Sequence, residues 1–160
     1  MTSVRRDGTS WWWSTAVAAG AVHAGFSLYW GAGGTWLMWS LGTGPVETFR
    51  GREWLPLPVG ALKLVAACAP LLLARAHGPL RGPMRACCWC GAVVLIAWGG
   101  LNTVVGQLVL AGLVRPAGGY DRPGMLGHAY LWDPLFLVWG MALMAGLRGS
   151  ASLCRRPPPM

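Results

Sequence analysis

Four apolar stretches, at about residues 11–32, 54–74, 86–113 and 126–147, dominate this chain. Each approaches or exceeds the ~20 residues that an α-helix needs to cross a ~30 Å hydrocarbon core at 1.5 Å per residue. With 54% hydrophobic and 11% charged residues among 160, the chain has too little polar surface to cover a soluble globule. The expected fold class is all-α: an integral membrane four-helix bundle. Residues 1–150 form a single transmembrane domain, and the proline-rich stretch 151–160 reads as a disordered tail. The first stretch is too long for a signal-peptide core and leads into Gly33-Gly34-Thr35-Trp36 rather than a small-residue cleavage site, so it is expected to be retained.

The 13 Lys and Arg against 5 Asp and Glu give a net charge of +8. In a soluble protein that balance suggests nucleic acid, but these arginines sit between apolar runs rather than along one stripe, so no nucleic-acid partner is expected. Arg5 and Arg6, then Arg75, Arg81 and Arg85, then Arg148, Arg155 and Arg156 mark the N-terminus, the middle connection and the tail. In the other two connections Arg50 and Arg52 are offset by Glu47 and Glu53, and Arg115 and Arg122 accompany Asp121. The positive-inside rule then puts both termini and the middle connection in the cytoplasm of a multi-pass cell-membrane protein. Cys87, Cys88 and Cys90 fall at the cytoplasmic end of the third helix, where thiols stay reduced; this argues against disulfide exchange of the vitamin K epoxide reductase type. Between residues 33 and 53, Trp36 and Trp39 suit a short interfacial or re-entrant segment that could roof a cavity.

Polar side chains inside membrane helices are costly, and each needs a reason. His23, Ser27 and Trp30 line one face of the first helix. Lys63 stands in the second, with Gly60 and Ala67 on the same side; Asn102, Thr103 and Gln107 stand in the third, and His128, Tyr130 and Asp133 in the fourth. Counted from the outer ends, His23 and Lys63 lie ~13 Å deep, Asn102 ~16 Å, and Gln107 and Asp133 ~9 Å. The polar residues thus share the outer half, as a cavity open outward or sideways would require, and the inner half is almost purely apolar.

Lys63 and Asp133 are expected to pair, because an isolated charge of either kind costs at least ~2.5 kcal/mol in the membrane. The plainer role of this layer is interhelical glue at roughly 1 kcal/mol per contact, and a lone His23 is more often a satisfied core residue than a catalyst. Asp133-Pro134 also matches an N-cap followed by proline. A helix from Pro134 to Leu147 would span only ~21 Å, so the segment must begin earlier and bend or enter as irregular backbone. Pro134 would then free the carbonyl of Tyr130. The 11 tryptophans exceed what interfacial belts need; Trp30, Trp98, Trp132 and Trp139 could line a pocket or face lipid.

His23, Tyr29-Trp30, Gly33-Gly34, Lys63, Gly99-Gly100-Leu101-Asn102, Tyr120-Asp121-Arg122, His128 and Trp132-Asp133-Pro134 resemble a largely uncharacterised family of small actinobacterial four-helix membrane proteins. The likeness spans most of residues 16–147 and implies fold more than activity. In size, topology and buried acid the chain is more loosely similar to the small membrane-bound terpene cyclases of meroterpenoid pathways.

A lipophilic terpenoid or prenylated substrate entering from the bilayer would meet a buried carboxyl, a histidine and aromatic faces. Those groups suit protonation of an alkene or epoxide and stabilisation of the resulting cation. The sequence has no Asp-Asp-x-x-Asp or similar carboxylate cluster, so no metal site and no cofactor are expected. In this reading Asp133 donates the proton and His23 or Tyr130 holds or removes one. Lys63 with Asn102 and Gln107 orients the acid. Trp30, Trp132 and His128 contact substrate, and Asp121 and Glu47 are reserve acids. Two other classes fit the same residues. One is a small proton-coupled transporter or ligand-binding protein, which with so few helices would need a homo-oligomer; the other is a non-catalytic subunit of a membrane complex.

Overall fold

A computed structural model describes residues 4–154, and every regular element in them is helical. Helix α1 covers Val4–Gly31, a 3-10 turn covers Met38–Leu41 and α2 covers Thr43–Phe49. Helix α3 covers Pro56–Arg75, a second 3-10 turn Gly78–Leu80, and α4 Arg81–Leu110. Helix α5 (Arg122–Gly127) runs through a π-helical turn at His128–Trp132 into α6 (Asp133–Cys154). The expected tail therefore starts inside α6, and residues 155–160 lie outside the described residues.

Among the described residues, three segments are long and apolar enough to cross a membrane: Pro56–Leu73, Gly78–Leu110 and Arg122–Ser150. Helix α1 has 28 residues but is not among them. Trp11, Trp12, Trp13, His23 and Ser27 lower its mean hydropathy, so the most tryptophan-rich and polar helix is the one that composition alone does not mark as a span. Helix α1 packs along α3 and α6, α4 packs along α6, and α3 touches α4 only briefly.

The packing uses small residues where helices face one another. Ala16, Ala19, Ala67, Ala92 and Ala142 are buried with Trp139, Leu143 and Leu147 in one core cluster. Leu62, Val65, Val94 and Leu101 point outward and are each more than 60% exposed. Large aliphatics outside and alanine inside reverse the order of a soluble protein; they are the expected arrangement when lipid covers the outer surface and close backbone approach drives association.

The α5 to α6 segment reconciles a proline with a long helix. Pro134 has no N–H, which at ordinary helical spacing would leave the Tyr130 carbonyl without a donor. The chain widens by one residue just before it, and the Asp133 N–H donates to the His128 carbonyl five residues back. Helix therefore continues across the proline. Asp133 itself has helical dihedral angles, φ −76° and ψ −38°, so the Asp-Pro pair is not an N-cap and its side chain is free for other contacts.

Candidate functional site

The π turn sets the site. Wide turns of this kind displace side chains from the regular helical pattern and recur at functional positions. Here the turn brings His128 and Asp133, five residues apart, into contact: His128 Nδ1 lies 3.0 Å from Asp133 Oδ2. The Asp133 side chain is 3% exposed and that of His128 is 43% exposed. The carboxylate is buried behind the imidazole, which is partly exposed beside the Leu41 backbone at the edge of an open space.

That space is a cavity of about 400 Å³ between α4, α5, the π turn and the loop that begins α2. Trp98, Asn102 and Gly106 form the α4 wall, His128 and Asp133 stand opposite, and Leu41, Gly42 and Thr43 close one side. Below Asp133 the helices pack too tightly for a continuation: a Cβ on Gly99 would sit 2.6 Å from the Asp133 carbonyl oxygen. Among the described residues no group of three or more His, Cys, Asp or Glu side chains could hold a metal ion.

The roof is fastened at three points. Trp132 Nε1–H donates to Ser40 Oγ at 3.0 Å, and that hydroxyl donates in turn to the Leu37 carbonyl. Asp121 caps α5 by accepting from the Gly124 N–H at 3.1 Å, and the same oxygen accepts from the Thr43 N–H at 3.1 Å. Gly127 has no side chain because the Ser40 backbone carbonyl occupies the space a Cβ would need. Trp36 and Trp39 are exposed on this loop.

Lys63 does not pair with Asp133. Its Nζ lies 3.1 Å from His23 Nδ1 and 3.0 Å from Ser27 Oγ, and it passes 5.4 Å from the centre of the Phe136 ring. Depth alone could not foresee this, because residues at one level can stand on opposite sides of a bundle, and α3 lies against α1 rather than against the π turn. His23 is buried, with its ring stacked at 3.9 Å on Phe136 and tilted against Trp132 at 5.7 Å; its Nε2 has no hydrogen-bond partner. His23, Ser27 and Lys63 thus form a second polar cluster, whose histidine packs on Phe136 and Trp132, and none of the three lines the cavity.

The other expected site residues divide in the same way. Asn102, Asp121 and His128 join Asp133 at the cavity. Asn102 Nδ2 donates to its own helix at the Trp98 carbonyl, 2.9 Å away. Gln107 is exposed: five residues beyond Asn102 it stands ~140° around the helix. Tyr130 is 62% exposed, since the π turn that directs His128 inward sends it outward. Glu47 is tied to Arg50 at 2.8 Å on the surface, away from the cavity. Trp30 and Trp132 belong to an aromatic core with Phe26; Trp98 is the indole that reaches the cavity. The reserve acid Asp121 touches the cavity, but its Oδ2 already holds α5 and the roof together.

Cys68, Cys87, Cys88 and Cys90 are free thiols, and neither Cys87 nor Cys90 is near the cavity. Neither the curated proteins nor the solved structures contain a match to this chain. Residues 20–143, which carry both polar clusters and the cavity, match the family described as protein of unknown function (DUF3995), and the chain belongs to that family.

Proposed function

We propose that this protein is a multi-pass enzyme of the cell membrane, crossing it four times through α1, α3, α4 and the α5 to α6 segment with both termini in the cytoplasm. On this reading it transfers protons on a lipophilic, terpenoid or prenylated substrate, by isomerisation or acid-initiated cyclisation. The observation that carries the reading is the buried Asp133 carboxylate held on a half-exposed His128 at a cavity wall. A carboxylate behind an imidazole fixes the ring's orientation and stabilises its protonated form, which is how such pairs act as general acid and base.

The pairing changes the chemistry expected of Asp133. The group that meets a substrate is His128, and an imidazolium is too weak an acid for an unactivated alkene. An epoxide or an alkene conjugated to a carbonyl makes a smaller demand. For an epoxide, His128 gives its proton to the oxygen as the C–O bond breaks and a neighbouring alkene attacks the electron-poor carbon. The cation formed loses a proton to the neutral imidazole, so the product is an isomer of the substrate and no redox partner is consumed. Asn102 and Trp98, which line the same cavity, would orient the substrate and offer an aromatic face to positive charge.

The experiment is to incubate membranes containing the protein with epoxidised and plain prenylated substrates and to search for mass-identical cyclised or double-bond-shifted products. Product that disappears in Asp133→Ala supports the reading; no product from any substrate class removes it. Proton-coupled transport is the alternative, since the same pair can take up and release a proton. The tight approach of α4 to α6 at Gly99 favours turnover in a closed-ended pocket unless a second copy completes a path.

A further inference from the structure

At the opposite end from the His128 cavity the fold encloses a larger space, about 540 Å³, where the start of α1, the end of α3, the start of α4 and the end of α6 converge. Its lining divides by chemistry. Trp13, Val17, Ala18, Leu71 and Leu73 make an apolar wall, and Arg81, Arg85 and Ser150 gather on the α4 and α6 side with no acidic residue among them. Arg85 is fixed in place: Nη1 donates to Ser150 Oγ at 2.9 Å and Nη2 to the Leu147 carbonyl at 2.6 Å, so its charge is held at the rim rather than swinging into water. Arg81, four residues earlier and one turn toward the helix start, is exposed on the same side.

We infer that this groove binds an anionic phospholipid, with its phosphate between Arg81 and Arg85 and one acyl chain along the Trp13, Val17 and Leu71 wall. The inference rests on the chain being membrane-embedded but not on any catalytic activity. Charge complementarity selects the occupant. Two guanidiniums, with no carboxylate among the described residues lining the groove, favour a net negative headgroup over a zwitterionic one, whose own cation would meet the same arginines. The adjoining apolar volume distinguishes a lipid from free phosphate, which would leave that wall unfilled. A bound lipid would wedge the ends of α3 and α4, which otherwise make few contacts with each other.

The test uses the full-length protein purified in mild detergent and reconstituted with phosphatidylglycerol or phosphatidylcholine of matched chains, with retained lipid counted by native mass spectrometry. Phosphatidylglycerol should be kept preferentially. Arg81→Gln should weaken that preference about fivefold, the worth of one cation near the surface. Ala18→Phe fills the groove from an exposed position, so it should abolish retention of phosphatidylglycerol while circular dichroism stays unchanged. Millimolar inorganic phosphate should not compete. Equal retention of the two lipids, retention indifferent to both substitutions, or displacement by inorganic phosphate would each overturn the inference. Because the readout is lipid retention, its failure is distinguishable from failure of the enzymatic reading.

Discussion

The Asp133 carboxylate lies 3.0 Å from His128 Nδ1 and not on Lys63, although Lys63 is the only lysine in the chain. The pair is asymmetric, with the acid buried and the base at the cavity. Asp133→Asn keeps the size and a hydrogen-bond acceptor for Nδ1–H but removes the charge. It should leave the fold intact and lower turnover by at least about 100-fold, the usual contribution of a positioned acid or base. His128→Ala should cost a similar factor, and the double variant no more than either alone, since two residues acting as one unit are not additive. Rates on the substrate found by product search, set beside thermal unfolding of each variant, check this; independent, multiplying losses would separate the two residues.

Lys63 should matter to stability rather than to turnover. Its contacts to His23 and Ser27 join α3 to α1, and interhelical hydrogen bonds in membranes contribute about 1 kcal/mol each. Lys63→Met is therefore expected to destabilise by about 1–2 kcal/mol. A double-mutant cycle between Lys63→Met and Ser27→Ala should give measurable coupling, and one between Lys63→Met and Asp133→Asn should give almost none. Strong coupling in the second cycle would restore the ion pair that charge considerations alone predict.

The contrast between those cycles marks how far the sequence can be read. The apolar lengths locate the long helices, and the cost of burying polarity singles out His23, Lys63, Asn102, His128 and Asp133. What depth leaves undetermined is azimuth. Lys63 and Asp133 lie in the same half of the bundle, but Lys63 turns to His23 and Ser27 of α1 while Asp133 turns to His128, and that depends on which helices become neighbours. Tyr130 and Gln107 fail for a related reason: a π turn or a five-residue spacing rotates a side chain out of a site that counting along the axis places it in. The lipid-sized groove at the other end had a signal in Arg81 and Arg85, read as topology alone.

Two adjacent glycines on α4 should respond with opposite sign. A Cβ on Gly99 would meet the Asp133 carbonyl oxygen and the Leu137 nitrogen, both at 2.6 Å, and neither backbone atom can move without shifting α6. A Cβ on Gly100 meets only the end of Leu137 at 3.7 Å, an ordinary contact. Gly99→Ala should cost about 1–3 kcal/mol, the range for overpacking. Gly100→Ala should gain up to about 1 kcal/mol from reduced chain entropy in the unfolded state. Unfolding in detergent compares them directly, and equal effects would mean that α4 and α6 do not approach at Gly99 as described.

The roof over the cavity should loosen when its pin is removed. Trp132→Phe preserves the aromatic packing against Phe26 and Trp30 but deletes the N–H that reaches Ser40. Asp121→Ala removes the acceptor shared by Gly124 and Thr43 and with it an N-cap worth about 1 kcal/mol. Each should speed proteolysis within residues 42–53 several-fold while leaving the long helices protected. Unchanged cleavage in both would mean that the loop is held by other contacts.

Sidedness supplies the last expectation, because the proposed topology assigns each connection to one face of the membrane. The middle connection carries Arg75 and Arg81 and would face the cytoplasm, whereas the segment with Trp36, Trp39 and the Glu47 to Arg50 ion pair would face outward. In a cysteine-free background, His77→Cys places a thiol at an exposed position of the first and Thr48→Cys at one of the second; Thr48 Oγ1 otherwise only donates back to the Gly44 carbonyl. A membrane-impermeant maleimide applied to intact cells should label the Thr48→Cys variant and spare the His77→Cys variant, which should react only after permeabilisation. The reverse pattern would invert the protein and move the His128 cavity to the cytoplasmic face. Labelling of both in intact cells would mean that the two connections share the outer face, so that α3 does not cross the bilayer.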